Sequence, residues 1–155
     1  MRTRKWAVRL AGIAAVGALM TGCGIGGGGY QATGTSSQDT ALQNTVQQYL
    51  TIRAQHNWAQ IGPYLTGDAL SALQASIPSI QKAGATDTLS NVQVTPKWVS
   101  PDGTLAVVQA QYELTRSVAN TGTSVDAVTT VYNLSYLAGR WRIYNTSTVL
   151  TTPQP

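Results

Sequence analysis

The side chains that most often carry catalysis or bind metals are scarce in this chain of 155 residues. His56 is its only histidine and Cys23 its only cysteine. Zinc and copper sites take three or four nitrogen and sulfur ligands, and one residue of each type cannot supply them. No metal site is therefore expected.

His56 is the one candidate general base. As a base it would need a carboxylate partner or a dry pocket, and no acidic residue lies within one helical turn of it along the sequence. It falls near the predicted end of the first helix, where a cation interacts favourably with the helix dipole. We therefore predict a capping or surface role for His56, with catalysis as the alternative.

Other enzymatic signatures lack the context that they need. Residues 24–29 match G-x-G-x-x-G, yet no predicted strand precedes them and no helix follows at once, so a dinucleotide site is not expected. A Ser-His-Asp triad has its residue types but no G-x-S-x-G elbow, and no P-loop is present. The sequence assigns no catalytic residue and no cofactor.

Tryptophan and tyrosine supply the large rings of the folded part, because phenylalanine is absent. We interpret these rings mainly as core, where they bury area and place one polar atom against a partner. The alternative is that some of them line an open pocket. The candidate pocket-lining residues are His56, Trp58, Tyr112, Tyr132 and Trp141.

Hydrophobic periodicity predicts two helices in the first half of the mature chain. The first helix runs from about Asp39, which caps its start, to about Trp58, with apolar residues at three- and four-residue spacing. After a break at Gly62, a shorter helix covers about residues 68–76, and Pro78 marks the loop that leaves it. Both helices are expected to bury one apolar face.

From Leu89 onward the pattern changes to the two-residue alternation of strands. Four long strands are predicted, at about residues 89–99, 104–118, 125–137 and 140–149. Their apolar face must be covered, and only the two leading helices can cover it. The sequence therefore predicts an α+β fold, with N-terminal helices packed on a curved four-stranded antiparallel meander. One domain covers residues 38–150, and residues 151–155 form a frayed tail.

The first 22 residues have the three parts of a secretory signal. Residues 1–9 are basic and contain no acid, and residues 10–20 form a run of apolar residues and glycine. As a helix, that run spans about half of the roughly 30 Å hydrocarbon core of a bilayer. A cleaved signal, and hence export of the chain, is therefore expected.

The end of this signal resembles the lipobox of bacterial lipoproteins. Thr21, Gly22 and Cys23 match that pattern, with Met20 where the family has a branched apolar residue. The resemblance implies cleavage between Gly22 and Cys23, a lipid on the Cys23 sulfur and a place on the extracytoplasmic face of the cell membrane. Residues 23–37 would then be the lipidated cysteine and a Gly/Ser/Thr-rich tether. The alternative is a plain secreted protein cleaved elsewhere.

The formal net charge of +4 is concentrated in the signal. Four of the ten lysines and arginines precede Cys23, which leaves six basic against six acidic residues in the mature chain. Nucleic-acid binding needs a surplus of basic residues to meet phosphates, so it is not expected. Contact with the membrane is expected through the lipid anchor.

The order and spacing of the elements resemble the nuclear-transport-factor-like superfamily, a cone-shaped α+β fold. The residues that carry the resemblance are the helix end near Trp58, segments 61–65, 132–134 and 141–144, and the turn at Gly139. The resemblance implies a pocket between the sheet and the helices, in which catalytic members place an Asp or His. It also makes a homodimer through the sheet an expectation.

No acid of this sequence matches that catalytic position. Asp102 lies in a predicted turn, Glu113 on the polar face of its strand and Asp126 at the start of its strand. Two functions remain open. The first is a non-catalytic binding or assembly module of the cell envelope, with envelope proteins as its partners. The second is a small-pocket enzyme or a carrier of an apolar ligand.

Overall fold

The computed structural model describes residues 30–31, 36–119 and 121–151. Within these residues, helices α1 (Ser37–Ala54) and α2 (Gly67–Ala83) pack against one antiparallel sheet. Its strands are β1 (Tyr30–Gln31), β2 (Ala85–Val99), β3 (Leu105–Val118), β4 (Gly122–Leu137) and β5 (Arg140–Thr151). The sheet order follows the chain order, so the four long strands form the predicted meander. The α+β fold is confirmed.

Helix α1 begins and ends earlier than predicted. Its cap is Ser36, whose Oγ accepts the backbone N–H of Asp39 at 3.0 Å, so the prediction of Asp39 as the cap is wrong. The helix ends at Ala54 rather than Trp58, because His56 has a φ of 54° and turns the chain away from the helical path. Its buried stripe comprises Leu42, Val46, Tyr49 and Leu50.

Helix α2 continues through Pro78, where the sequence predicted its end near residue 76. A proline inside a helix removes one backbone hydrogen bond. Here the packing of the helix against β5 compensates, with Leu73 buried and Ile77 packed against the core. The helix ends at Gly84, which has the left-handed φ of 57° that glycine adopts without strain.

The inward faces of the central strands form the core with the two helices. On β3 and β4 the buried residues alternate as predicted, and on β5 Trp141 and Ile143 point inward. The fully buried residues of this layer include Val108, Ala110, Tyr132, Leu134 and Ile143. The residues of these three strands that face the core are therefore the predicted ones, except at the end of β4.

Two residues are exposed although the two-residue alternation predicts them on the buried face: Val92 with Val94, and Tyr136 with Leu134. Val92 is 37% exposed, because the ladder between β2 and β3 is irregular between Ser90 and Gln93, where Asn91 has a φ of 54°. Tyr136 is 47% exposed at the end of β4, where its ring meets the edge of Trp141 at 5.3 Å between centroids.

The signal, Gly22 and Cys23 lie outside the described residues, as does most of the predicted tether. Strand β1 falls inside that tether segment and pairs with the C-terminal end of β2, Tyr30 opposite Val99. Within the part of the chain that the structure describes, no helix is both long and apolar enough to cross a bilayer.

Candidate functional site

A cavity of about 270 Å³ lies between the C-terminal half of α1 and the inner face of the sheet. We call it the α1–sheet cavity. Its apolar walls are Leu50, Leu89, Leu114 and Val128. Its polar lining residues are Arg53, Asp87, Tyr112, Arg116, Asp126 and Thr148. The helix and all four long strands therefore contribute to one concave site.

A groove of about 510 Å³ runs beside this cavity along α1 and β2. Both spaces are lined by Leu50, Ala54, Asp87 and Leu89. The groove is the more open of the two and continues toward the exposed Val92. The α1–sheet cavity thus has an entrance from solvent between the helix and β2.

Asp87 is the centre of the charged network at this entrance. Its Oδ1 and Oδ2 accept from Arg116 Nε at 2.8 Å and Nη2 at 3.0 Å, and Oδ2 lies 3.3 Å from His56 Nε2. Burial opposes ionisation of this carboxyl, but the hydrogen bonds from Arg116 and His56 outweigh it and lower the pKa of Asp87. Asp87 is therefore held as a carboxylate and occupied by two partners.

His56 is fixed by its ring as well as by Asp87. Its imidazole stacks on the indole of Trp58 with centroids 5.1 Å apart and planes 15° apart. The left-handed backbone at His56 aims the side chain from the end of α1 toward β2. The residue thus connects the helix to the strand at the rim of the cavity.

Three tyrosines and one arginine form a polar cluster at the cavity, which Tyr112 and Arg53 line. The rings of Tyr49 and Tyr132 meet edge to face at 5.9 Å, and both interact electrostatically with Tyr112. The Tyr132 hydroxyl is buried and makes no hydrogen bond of normal geometry, although Thr130 lies close enough to lower its pKa slightly. Burial nevertheless raises the pKa of Tyr132 well above its usual range.

Arg53 brings a positive charge to this cluster. The residue is exposed to solvent and also lines the cavity. Its guanidinium lies beside the Tyr49 hydroxyl and near the phenols of Tyr112 and Tyr132. Among the described residues no carboxylate lies within ion-pair distance of it, whereas Arg116 has Asp87.

The structure distributes the candidate residues from the sequence over three places. Tyr112 lines the cavity, and Tyr132 lies beneath it. His56 lies at its rim through the contact with Asp87, and Trp58 stacks on His56. Trp141 is buried at the other end of the sheet, against Tyr136.

Sequence reasoning missed the charged lining of the cavity. The predicted first long strand begins at about Leu89, so Asp87 falls before it, whereas β2 begins at Ala85. The strand propensity of Thr86 and Thr88 was the available signal. Nothing in the spacing of Arg53 or Arg116 indicated that they would meet, since one lies on a helix and the other on a strand.

No group of His, Cys, Asp and Glu in the described part of the chain has the arrangement to hold a metal ion. Neither a family model nor a curated protein matches the sequence. Among solved structures, the fold is similar to the intermembrane space region of the chloroplast protein ARC6, with a TM-score of 0.60. The two share 22% sequence identity over 72% of this chain and 96% of that one. At this identity the likeness shows the fold alone.

Proposed function

We propose that this chain is a lipoprotein of the cell envelope, anchored through Cys23 on the extracytoplasmic face of the membrane, whose domain binds a small ligand without transforming it. The α1–sheet cavity is the observation that carries the binding role. It combines apolar walls with a few converging polar groups, as small-molecule sites do, and its volume is just below their usual range of about 300–1,000 Å³. The lipobox-like sequence supports the anchor.

Binding rather than catalysis is favoured by the state of the acid–base groups. A general base must be free to take a proton from its substrate. The carboxylate of Asp87 already accepts from Arg116 and His56, and these bonds lower its pKa and hence its basicity. His56, the only histidine of the chain, is one of these two partners of Asp87.

The position of β1 is compatible with a membrane-distal cavity. Six residues lie between Cys23 and Tyr30, and the seven Cα–Cα steps that join them reach at most about 25 Å. Strand β1 pairs with the Trp98–Val99 end of β2, whereas Asp87 lies roughly 35 Å along the same strand. An anchor at Cys23 would then leave the cavity facing away from the bilayer.

The anchor is tested by replacing its sulfur. Cells producing the full chain are fed an alkyne-bearing palmitate analogue, and the label and membrane fraction are followed for the native chain and for Cys23→Ser. The proposal predicts a labelled, membrane-bound native chain and an unlabelled Cys23→Ser chain. An unlabelled native chain in the soluble fraction would contradict the anchor.

The binding role is tested by filling the cavity. Ala54 lines it at the end of α1, so Ala54→Phe should occupy the space that a ligand needs. Ala75→Phe adds the same ring to the exposed side of α2 and is the matched control. Methyl NMR signals of Leu50 and Leu89 should shift with 1-hexanol in the native chain and in Ala75→Phe, and should not shift in Ala54→Phe. Equal responses in both variants would contradict binding in this cavity.

A further inference from the structure

We propose that the α1–sheet cavity selects an anionic ligand, a carboxylate on a short apolar body, with Arg53 as the residue that recognises the charge. This inference rests on the proposed binding function and names its ligand class. It follows from which charged side chains around the cavity have an oppositely charged partner.

The charge of Asp87 is compensated by Arg116. Arg116 holds Asp87 through two hydrogen bonds, and the charge of Asp126 further raises the pKa of Arg116. A cation near Asp87 would therefore meet a carboxylate that is already paired with an arginine. Asp126 is also half-buried at the start of β4, beside that arginine.

The charge on the Arg53 side is not compensated. The groups around its guanidinium are the neutral phenols of Tyr49, Tyr112 and Tyr132. Arg53 and Arg116 also repel each other, since both are positively charged and line the same cavity. A planar guanidinium presents paired N–H donors that match a carboxylate.

The surroundings of Arg53 suit a carboxylate with an apolar body. Tyr112 lines the same cavity and supplies a hydroxyl donor. Leu89, Leu114 and Val128 provide the apolar walls. In a partly enclosed site, a charge-assisted hydrogen bond is stronger than the bond that a neutral alcohol makes. The head group of the ligand would thus lie at Arg53 and its chain along the leucines.

Three probes with the same six-carbon skeleton test the inference separately from the binding function on which it rests. Hexanoate, 1-hexanol and hexylammonium are titrated into the full chain as the cell makes it, in nanodiscs if it is membrane-bound, with empty nanodiscs as the reference. We expect hexanoate to bind about tenfold more tightly than 1-hexanol, and hexylammonium to bind least.

Variants of the protein then test whether Arg53 recognises the charge of the ligand. Arg53→Gln should reduce hexanoate affinity to that of 1-hexanol and leave 1-hexanol binding unchanged. Arg140→Gln, at the opposite end of the sheet, is the matched control and should change neither. Arg53→Lys keeps the charge without the planar fork and should retain part of the preference, which covers the case that Arg53→Gln does not fold.

The outcomes are distinguishable. If 1-hexanol binds in the cavity and hexanoate binds no more tightly, the anion inference is wrong and the binding function stands. If hexylammonium binds most tightly, Asp126 rather than Arg53 recognises the charge, and the inference is again wrong. If none of the three probes shifts the cavity methyl signals, the proposed function fails and the inference fails with it.

Discussion

The imidazole of His56 and the carboxylate of Asp87 lie 3.3 Å apart, although 31 residues separate them in sequence. This contact joins the end of α1 to the start of β2, on either side of the cavity entrance. Arg116 adds β3 to the same network through its two hydrogen bonds to Asp87. One carboxylate therefore holds together three of the elements that form the cavity.

Replacing that carboxylate should destabilise the domain. Asp87→Asn removes the charge that Arg116 and His56 contact, and hydrogen bonds to charged groups contribute about 1.5–3 kcal/mol when they are shielded from water. We expect a loss of about 1–2 kcal/mol in the free energy of unfolding, measured by urea denaturation, because Arg116 stays partly hydrated. Asp126→Asn is the control, since Asp126 lines the same cavity without an ion pair within 4.0 Å. Equal losses in the two variants would contradict the role of Asp87.

The contribution of Asp87 should disappear in acid. Its pKa in the folded chain lies below the ordinary value of 3.8. The carboxylate therefore stabilises the fold fully at pH values above the pKa that Asp87 has in the unfolded chain. As the pH falls through the folded pKa, this stabilisation is lost. The difference in unfolding free energy between the native chain and Asp87→Asn should therefore shrink between about pH 5 and pH 2. A difference that stays constant over this range would show that ionisation of Asp87 is not its source.

Pro78 should be a weak point of α2. The residue lies inside the helix and is exposed, so Pro78→Ala restores a backbone N–H without disturbing the buried side chains. We expect the free energy of unfolding to rise by at least about 1 kcal/mol, since an interior proline costs a helix roughly 3 kcal/mol relative to alanine. Thermal unfolding followed by circular dichroism measures this change. A lower melting temperature for Pro78→Ala would mean that Pro78 itself contributes to the packing of α2 on β5.

The hydroxyl of Tyr132 should oppose stability. A buried polar group without a hydrogen bond of normal geometry costs about 1–3 kcal/mol, so Tyr132→Phe should raise the free energy of unfolding by about 1 kcal/mol. Tyr64→Phe is the control, because its hydroxyl donates to Gln48 at 2.7 Å on the surface. That variant should be neutral or slightly less stable. A loss of more than about 1 kcal/mol in Tyr132→Phe would show that this hydroxyl has a strong partner.

Local sequence signals predicted the sheet well, because its contacts are between neighbours in sequence. Each long strand pairs with the next, and the turns at Gly103 and Gly139 have the positive φ of 69° and 80° that glycine favours. Alternation then decided which residues face the core. The exceptions arose where backbone irregularity changed the alternation, as at Asn91.

The candidate site was much less predictable, since it depends on contacts between distant elements. In the sequence, Arg53 and Asp87 are charged residues of a helix and a strand, and no local pattern relates them. Only the fold places both at one cavity. Strand β1 had no apolar pattern, because its pairing uses the backbone at the edge of β2. Lipidation at Cys23, envelope-protein partners and a homodimer remain predictions from the sequence.

The central claim, that the α1–sheet cavity holds a ligand, is tested most directly by native mass spectrometry of the full chain isolated from the cells that make it. We predict a bound small molecule on the native chain and on Ala75→Phe, released on unfolding and absent from Ala54→Phe. An adduct of the same mass and occupancy on Ala54→Phe would contradict the claim.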